Sequence, residues 1–117
     1  MNWEKLEQSG VNCEEGLNRF SGNEQLYEKY LKKLLELTLY EEMKQAIMEE
    51  RIHDAFLASH KLKSFIGNLS IGSFYEDIRE LTEQLRAETG QDYSARLKEM
   101  DAKYERIIAA IKEESHG

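Results

Sequence analysis

The chain has no proline, one cysteine and one tryptophan in 117 residues. Without proline nothing forces a break in a helix. Charged residues make up 33% of the chain, and Leu, Glu, Lys, Ala and Ile dominate its periodic segments. Together these features point to an all-helical protein. Cys13 has no cysteine to pair with, so an internal disulfide is excluded, which fits a reducing cytoplasm. No apolar run approaches the roughly 20 residues that span a bilayer. Met1-Asn2-Trp3-Glu4-Lys5 lacks the charged-then-apolar order of a signal peptide. The expectation is a cytoplasmic protein with no membrane insertion. A formal charge of -7 argues against a general nucleic-acid binder, which needs a basic surface to displace counterions. There is no Gly-rich nucleotide loop, so ATP binding and self-phosphorylation are not expected.

At this length one domain is expected over residues 1–117, large enough for a single core. Residues 1–22 read as short N-terminal helices. Trp3 and Leu6 form the apolar side of a turn over 3–8, and Asn12 caps a helix running to about Phe20 before Ser21-Gly22. Residues 23–115 read as the helical bundle. Asn23 caps a helix whose inner face is Leu26, Tyr27, Tyr30, Leu31, Leu34 and Leu35. Thr38-Leu39-Tyr40-Glu41 reads as a capping box that opens a helix with Met43, Ala46 and Ile47 inside. A further helix runs from Arg51 to Leu69. Ser73-Phe74-Tyr75-Glu76 reads as a second capping box, ahead of Ile78, Leu81 and Leu85, with Thr89-Gly90 as the stop. Asp92 caps a last helix with the stripe Tyr93, Leu97, Met100, Tyr104, Ile107, Ile108 and Ile111, fraying from Glu113. Short connections make neighbours antiparallel, so the expected fold is an all-α, antiparallel up-down four-helix bundle with additional short N-terminal helices.

The stretch His60-Lys61-Leu62-Lys63-Ser64-Phe65-Ile66-Gly67-Asn68-Leu69-Ser70-Ile71 stands apart. At 100° per residue, Ile52, Ala55, Ala58, Ser59, Leu62, Phe65, Ile66 and Leu69 share one side, which is the core face. His60 falls on the far side with His53, Ser64 and Gly67, flanked by Phe56 and Leu57. A solvated face is normally Lys, Glu and Gln. Here the turn after His60 carries Ser64 and Gly67, although a helical glycine costs about 0.5–1 kcal/mol relative to alanine. An accessible polar residue beside a small apolar patch suggests docking. Lys61 and Lys63 would attract and partly neutralise a phosphoryl group on His60, which makes the imidazole a candidate nucleophile. A plainer reading stands beside this one: a surface histidine, two solvated lysines, and Ser64 and Gly67 serving close helix packing. A metal site is disfavoured. His53 and His60 are about 10.5 Å apart along the helix axis, and His116 and Cys13 have no fixed place in such a site.

The stretch from His60 to Ile71 resembles the signature of histidine-containing phosphotransfer (HPt) domains of two-component phosphorelays, broadly H-x-L-K-G/S-x-x-x-x-L-G. Asp54-Ala55-Phe56-Leu57-Ala58-Ser59 fits the run-up to that histidine. The segment from Gly10 to Asn23 is similar to the usual start of such domains. The resemblance implies an antiparallel helical bundle with His60 exposed midway along one helix as the phosphorylated residue. It implies that Lys63 steadies the phosphoryl group, that Lys61, Ser64 and Gly67 surround it with room to spare, and that Phe56 and Leu57 serve docking. The implied partners are response-regulator receiver domains, with a hybrid histidine kinase as a further one. The implied role is a monomeric phosphocarrier with no kinase activity of its own and no cofactor; Mg²⁺ belongs to the receiver. Three positions depart from the pattern. Ser64 replaces the commonest glycine, Phe65 is bulkier than usual but turned inward, and Ser70 stands where a second glycine is frequent, which bears on the loop shape. None removes the nucleophile. The competing expectation is a non-catalytic helical adaptor binding a signalling partner through the same surface.

Overall fold

The computed structural model describes residues 1–88 and 90–115. Among them are seven α-helices and no strand: α1 (Trp3–Gln8), α2 (Cys13–Arg19), α3 (Glu24–Leu34), α4 (Leu39–Met48), α5 (Ile52–Asn68), α6 (Gly72–Arg86) and α7 (Ser94–Ser115). The expected stop at Thr89 lies outside the described residues.

Asparagine opens the first three helices. The side chains of Asn2, Asn12 and Asn23 accept the backbone N–H of Lys5, Glu15 and Leu26, at 3.3, 3.1 and 3.0 Å. Each satisfies one donor that the helix itself leaves free. The two expected capping boxes do not form. Thr38 precedes α4, but its backbone (φ -104°, ψ 6°) is not the extended conformation an N-cap uses, and its hydroxyl donates to Glu42 at 3.1 Å. α6 starts two residues earlier than expected, with Ile71 and not Ser73 at its N-cap, because the turn that ends α5 runs straight into it. Ser70 N–H donates to the Gly67 carbonyl and Ile71 N–H to the Ile66 carbonyl, closing a Schellman motif. The Ile71 carbonyl then accepts from Phe74 and Tyr75. Ser73 therefore sits inside α6, donating to the Gly10 carbonyl at 3.4 Å, and Glu76 pairs with Arg79.

α5 and α6 run antiparallel, and so do α6 and α7. Gly67 of α5 lies against Tyr75 of α6, and Phe56, further back on α5, lies under Arg86, further on in α6. Between α6 and α7, Asp77 pairs with Lys103 at 2.7 Å and Glu80 with Arg96 at 3.1 Å. α4 reaches α7 through Lys44 and the Tyr40 hydroxyl, which meet Asp101 at 3.0 and 2.5 Å. One hydrophobic cluster takes residues from all seven helices, including Leu6, Tyr27, Met43, Leu62, Ile66, Phe74, Ile78 and Ile107. Burying such side chains is the main force holding the helices together, at about 1.5–3 kcal/mol for each one fully buried. Leu26 departs from the expected face and is exposed, leaving Tyr27, Leu31 and Leu34 as the buried stripe of α3.

α7 is helical through Ser115, and residues 116–117 of the expected frayed end lie outside the described residues. The described end of the helix is tied to α1, where Asn2 N–H donates to Glu114 at 2.7 Å and Lys5 pairs with Glu113 at 3.5 Å. No helix among the described residues is long and apolar enough to cross a membrane.

Candidate functional site

α5 presents two faces of different character. Ala55, Ser59, Leu62 and Ile66 are buried. Ser59 is polar in the core, but its hydroxyl donates to the Phe56 carbonyl at 2.9 Å, so its burial leaves no unmet donor. His53, Leu57, His60, Lys61 and Ser64 are exposed; Phe56, Lys63 and Gly67 are half-buried. Phe65, expected inward, is half-buried.

His60 sits near the middle of α5. Its ring stacks on Phe56, with centroids 5.9 Å apart and 29° between the planes. His53 meets the same phenyl ring at 6.4 Å, and the guanidinium carbon of Arg86 lies 5.5 Å from its centroid. The Ser64 hydroxyl turns back to the His60 carbonyl at 3.3 Å, so it does not reach outward for a ligand in this arrangement. Neither Lys61 nor Lys63 has an ion-pair or hydrogen-bond partner among the described residues. Lys63 stands three residues after His60, a spacing that puts Cβ atoms about 5–6 Å apart on one helix face. The spacing thus puts on the same side of α5 as the imidazole a lysine that has no carboxylate partner among the described residues.

The two residues expected to dock a partner point to different neighbours. Phe56 leans toward Arg86 on α6. Leu57 and Lys61 line a groove of about 360 Å³ shared with Leu39, Glu42 and Ala46 of α4. Gly67 also has a specific surrounding. A methyl group there would come within 3.1 Å of the Tyr75 ring. Close packing of α5 on α6 therefore accounts for this glycine by itself.

One turn beyond His60 a larger groove of about 580 Å³ opens between α2, α5 and the start of α6. Lys63, Ser64 and Gly67 line one wall, with Arg19, Glu15, Ser70 and Tyr75 around it; His60 is not part of the wall. Arg19 Nε donates to Ser70 Oγ at 3.0 Å, and Ser70 Oγ donates to Glu15 at 3.2 Å. Ser70 adopts a left-handed backbone (φ 59°), the conformation that favours glycine after a helix. Arg19, Tyr75 and Arg86 escape a one-helix reading because Arg19 comes from α2 and the other two from α6.

Beneath the site, Tyr27 anchors the end of α5. Its fully buried hydroxyl donates to the Leu69 carbonyl at 2.8 Å. Burial raises the pKa of this hydroxyl far above its ordinary value, reinforced by Cys13 and Glu15. No group of three or more His, Cys, Asp or Glu side chains among the described residues is arranged to hold a metal ion. Cys13 is buried in the core, and His116 lies outside the described residues. No protein-family model, no curated protein and no solved structure matches this chain.

Proposed function

We propose that this chain is a histidine phosphotransfer protein of a two-component phosphorelay, carrying a phosphoryl group on His60 to and from an aspartate of receiver domains. The observation that carries the reading is the pairing of an exposed imidazole in mid-α5 with an uncompensated Lys63 one turn on. The signature resemblance from His60 to Ile71 adds to it. In the same reading residues 23–115 form an antiparallel up-down four-helix bundle, with α1 and α2 as additional short N-terminal helices. The protein works as a cytoplasmic monomer that binds receivers and a hybrid histidine kinase.

The chemistry asks little of such a domain. The lone pair of the imidazole Nε2 forms the new N–P bond in line with the departing group. The P–O bond to the receiver aspartate breaks, its electron pair leaves with the carboxylate, and the second ring nitrogen releases its proton to water. The step is reversible because both bonds are energy-rich and the same groups are present in either direction. Phosphoryl transfer is governed by positioning and by cations on the equatorial oxygens. Lys63 supplies a positive charge on this side, with Lys61 adjacent. The receiver supplies its own Mg²⁺, so the chain is a phosphocarrier and not an ATP-dependent kinase. Ser64 keeps its side chain short where the receiver must approach, while Gly67 is already required by the packing of Tyr75. Phe56 and Leu57 offer apolar contact on either shoulder of the histidine.

The test is transfer from phosphorylated receivers to wild type and to His60→Gln. Acid-labile, base-stable label on the wild type alone is the expected result, with the same far-UV circular dichroism for both proteins. Label on His60→Gln would remove the assignment. Binding to receivers without label on either protein would favour a non-catalytic adaptor.

A further inference from the structure

The imidazole of His60 makes no hydrogen bond among the described residues. Histidines that do chemistry are usually oriented through their second ring nitrogen, which donates to a carboxylate or a carbonyl. Here that device is missing, yet an exposed helical side chain left alone samples several rotamers. The ring does have one contact, the phenyl face of Phe56 at 5.9 Å. Helical side chains lean toward the N-terminus, so a residue rests on the one four places before it. His60 and Phe56 have that spacing. Phe56 is in turn tied to the next helix, with the Arg86 guanidinium 5.5 Å from its centroid. Cation–π attraction of this kind persists at exposed positions. Among the described residues Arg86 has only a loose ion pair with Glu83, at 3.7 Å, to compete with it.

Packing alone does not call for phenylalanine here. Leucine is a better helix former and would cover the same half-buried position. It has no flat face to offer an imidazole and no π-system to offer a guanidinium. The aromatic ring is the feature shared by both contacts.

We infer that Phe56 is a positioning residue for His60, its ring setting the orientation of the imidazole, and that Arg86 buttresses Phe56 from α6. The effect on phosphoryl transfer rests on the reading of His60 as the acceptor; the orientation itself does not. The stack leaves the ring edge free toward solvent and limits the rotamers from which attack must begin.

A receiver would confound positioning with docking, since Phe56 also lies on the face a partner would cover. The measurement therefore uses phosphoramidate, which needs no docking surface. In that reaction the imidazole lone pair forms the N–P bond and the donor's own P–N bond breaks. Ammonia leaves with that pair, and the second ring nitrogen releases its proton to water. The full chain is compared with Phe56→Leu, Phe56→Tyr and Arg86→Gln. The His60 ring protons are followed by NMR and the label by rate.

In Phe56→Leu the His60 ring resonances should lose their aromatic ring-current displacement. The phosphoramidate rate should fall by about threefold to tenfold, a fraction of the hundredfold that an ångström of misplacement can cost. Phe56→Tyr should restore both, and Arg86→Gln should move both part of the way. Unchanged His60 resonances in Phe56→Leu overturn the proposal, and so do displaced resonances with an unchanged rate. If Phe56→Leu fails to fold, Arg86→Gln decides by the same two readouts. If wild type takes no phosphate from any donor, the acceptor reading fails and the resonances alone decide the orientation.

Discussion

Alanine at position 16 tests how the N-terminal helices support α5. Gly16 is buried in the middle of α2, and a Cβ there would lie 2.2 Å from both Cζ and Oη of Tyr27. Tyr27 cannot easily retreat. It is fully buried, stacked on Trp3 at 5.6 Å and tilted against Phe20 at 5.4 Å. Its hydroxyl is committed to the Leu69 carbonyl. Helix propensity alone would favour alanine by about 1 kcal/mol. Against that, overpacking a filled core costs about 1–3 kcal/mol. Pulling the hydroxyl off a buried carbonyl costs about another 1–3 kcal/mol. The net expectation is a loss of about 1–5 kcal/mol, centred near 3, a large part of a typical domain's 5–15 kcal/mol. The matching fall in Tm is roughly 10 °C. Urea and thermal unfolding followed by circular dichroism measure both. Gly72→Ala is the control, because a Cβ there meets nothing within 4 Å. Tyr27→Phe on the Gly16→Ala background should recover only part of the loss, since Cζ still collides. A Gly16→Ala protein as stable as wild type would refute the docking of α2 on Tyr27.

Three further outcomes follow from the same geometry. Gly67→Ala should gain about 0.5–1 kcal/mol of helix propensity only when Tyr75 is also shortened to alanine. A denaturation double-mutant cycle with no coupling between the two positions would show that the ring does not explain the glycine. Ser70→Gly should be more stable than Ser70→Ala by about 1 kcal/mol, because both lose the hydroxyl and only alanine keeps a Cβ in the left-handed conformation. Equal urea midpoints would contradict that backbone assignment. Burial, reinforced by Glu7, pushes the Cys13 thiol from 9.0 up to about 11. The folded state therefore holds this proton more tightly than the unfolded chain does. Its contribution is full below pH 9 and is lost as the pH climbs toward 11. Wild type should lose more urea resistance than Cys13→Ala across that window, and parallel curves would defeat the claim.

What could be read from the residues alone was the local part of the structure. The wheel of α5 separated Leu62 and Ile66 from His60 because a regular helix needs no knowledge of its neighbours. Asn12 and Asn23 were recognisable as caps for the same reason. The failures have a common cause. Thr38 and Ser73 carry the letters of a capping box, but Thr38 lacks the extended N-cap backbone and Ser73 lies inside α6, whose start the preceding turn sets. Leu26 fits the apolar spacing of α3, yet the core reaches only as far round as Tyr27 and Leu31. Residues 113–115 look like a ragged end until Asn2 and Lys5 arrive from the other terminus. The surroundings of His60 divide in the same way. Lys61 and Lys63 are visible at once, whereas Arg86 over Phe56 and Tyr75 over Gly67 depend on how α6 lies along α5.

That division bears on how α5 is held. Its outward strip of His53, His60, Lys61 and Ser64 contributes little burial, so the helix must be fixed by its other face and its two ends. At the C-terminal end the Tyr27 hydroxyl holds the Leu69 carbonyl, and Asn12 N–H donates to the Ser70 carbonyl at 2.8 Å. At the N-terminal end Arg51 N–H donates to the Ala46 carbonyl at 2.8 Å, and its guanidinium bridges Glu49 and Asp54. The exposed ion pairs are weak individually; the backbone bonds and the buried tyrosine are not. Three separate stretches of chain thus converge on the ends of one helix while its middle is left open to solvent. A helix fixed at its ends and along its buried face can present His60 to a partner without first being ordered. The ordering cost that weakens binding by flexible segments is then already met by the fold. At the centre of α5 the exposed imidazole of His60 rests on Phe56.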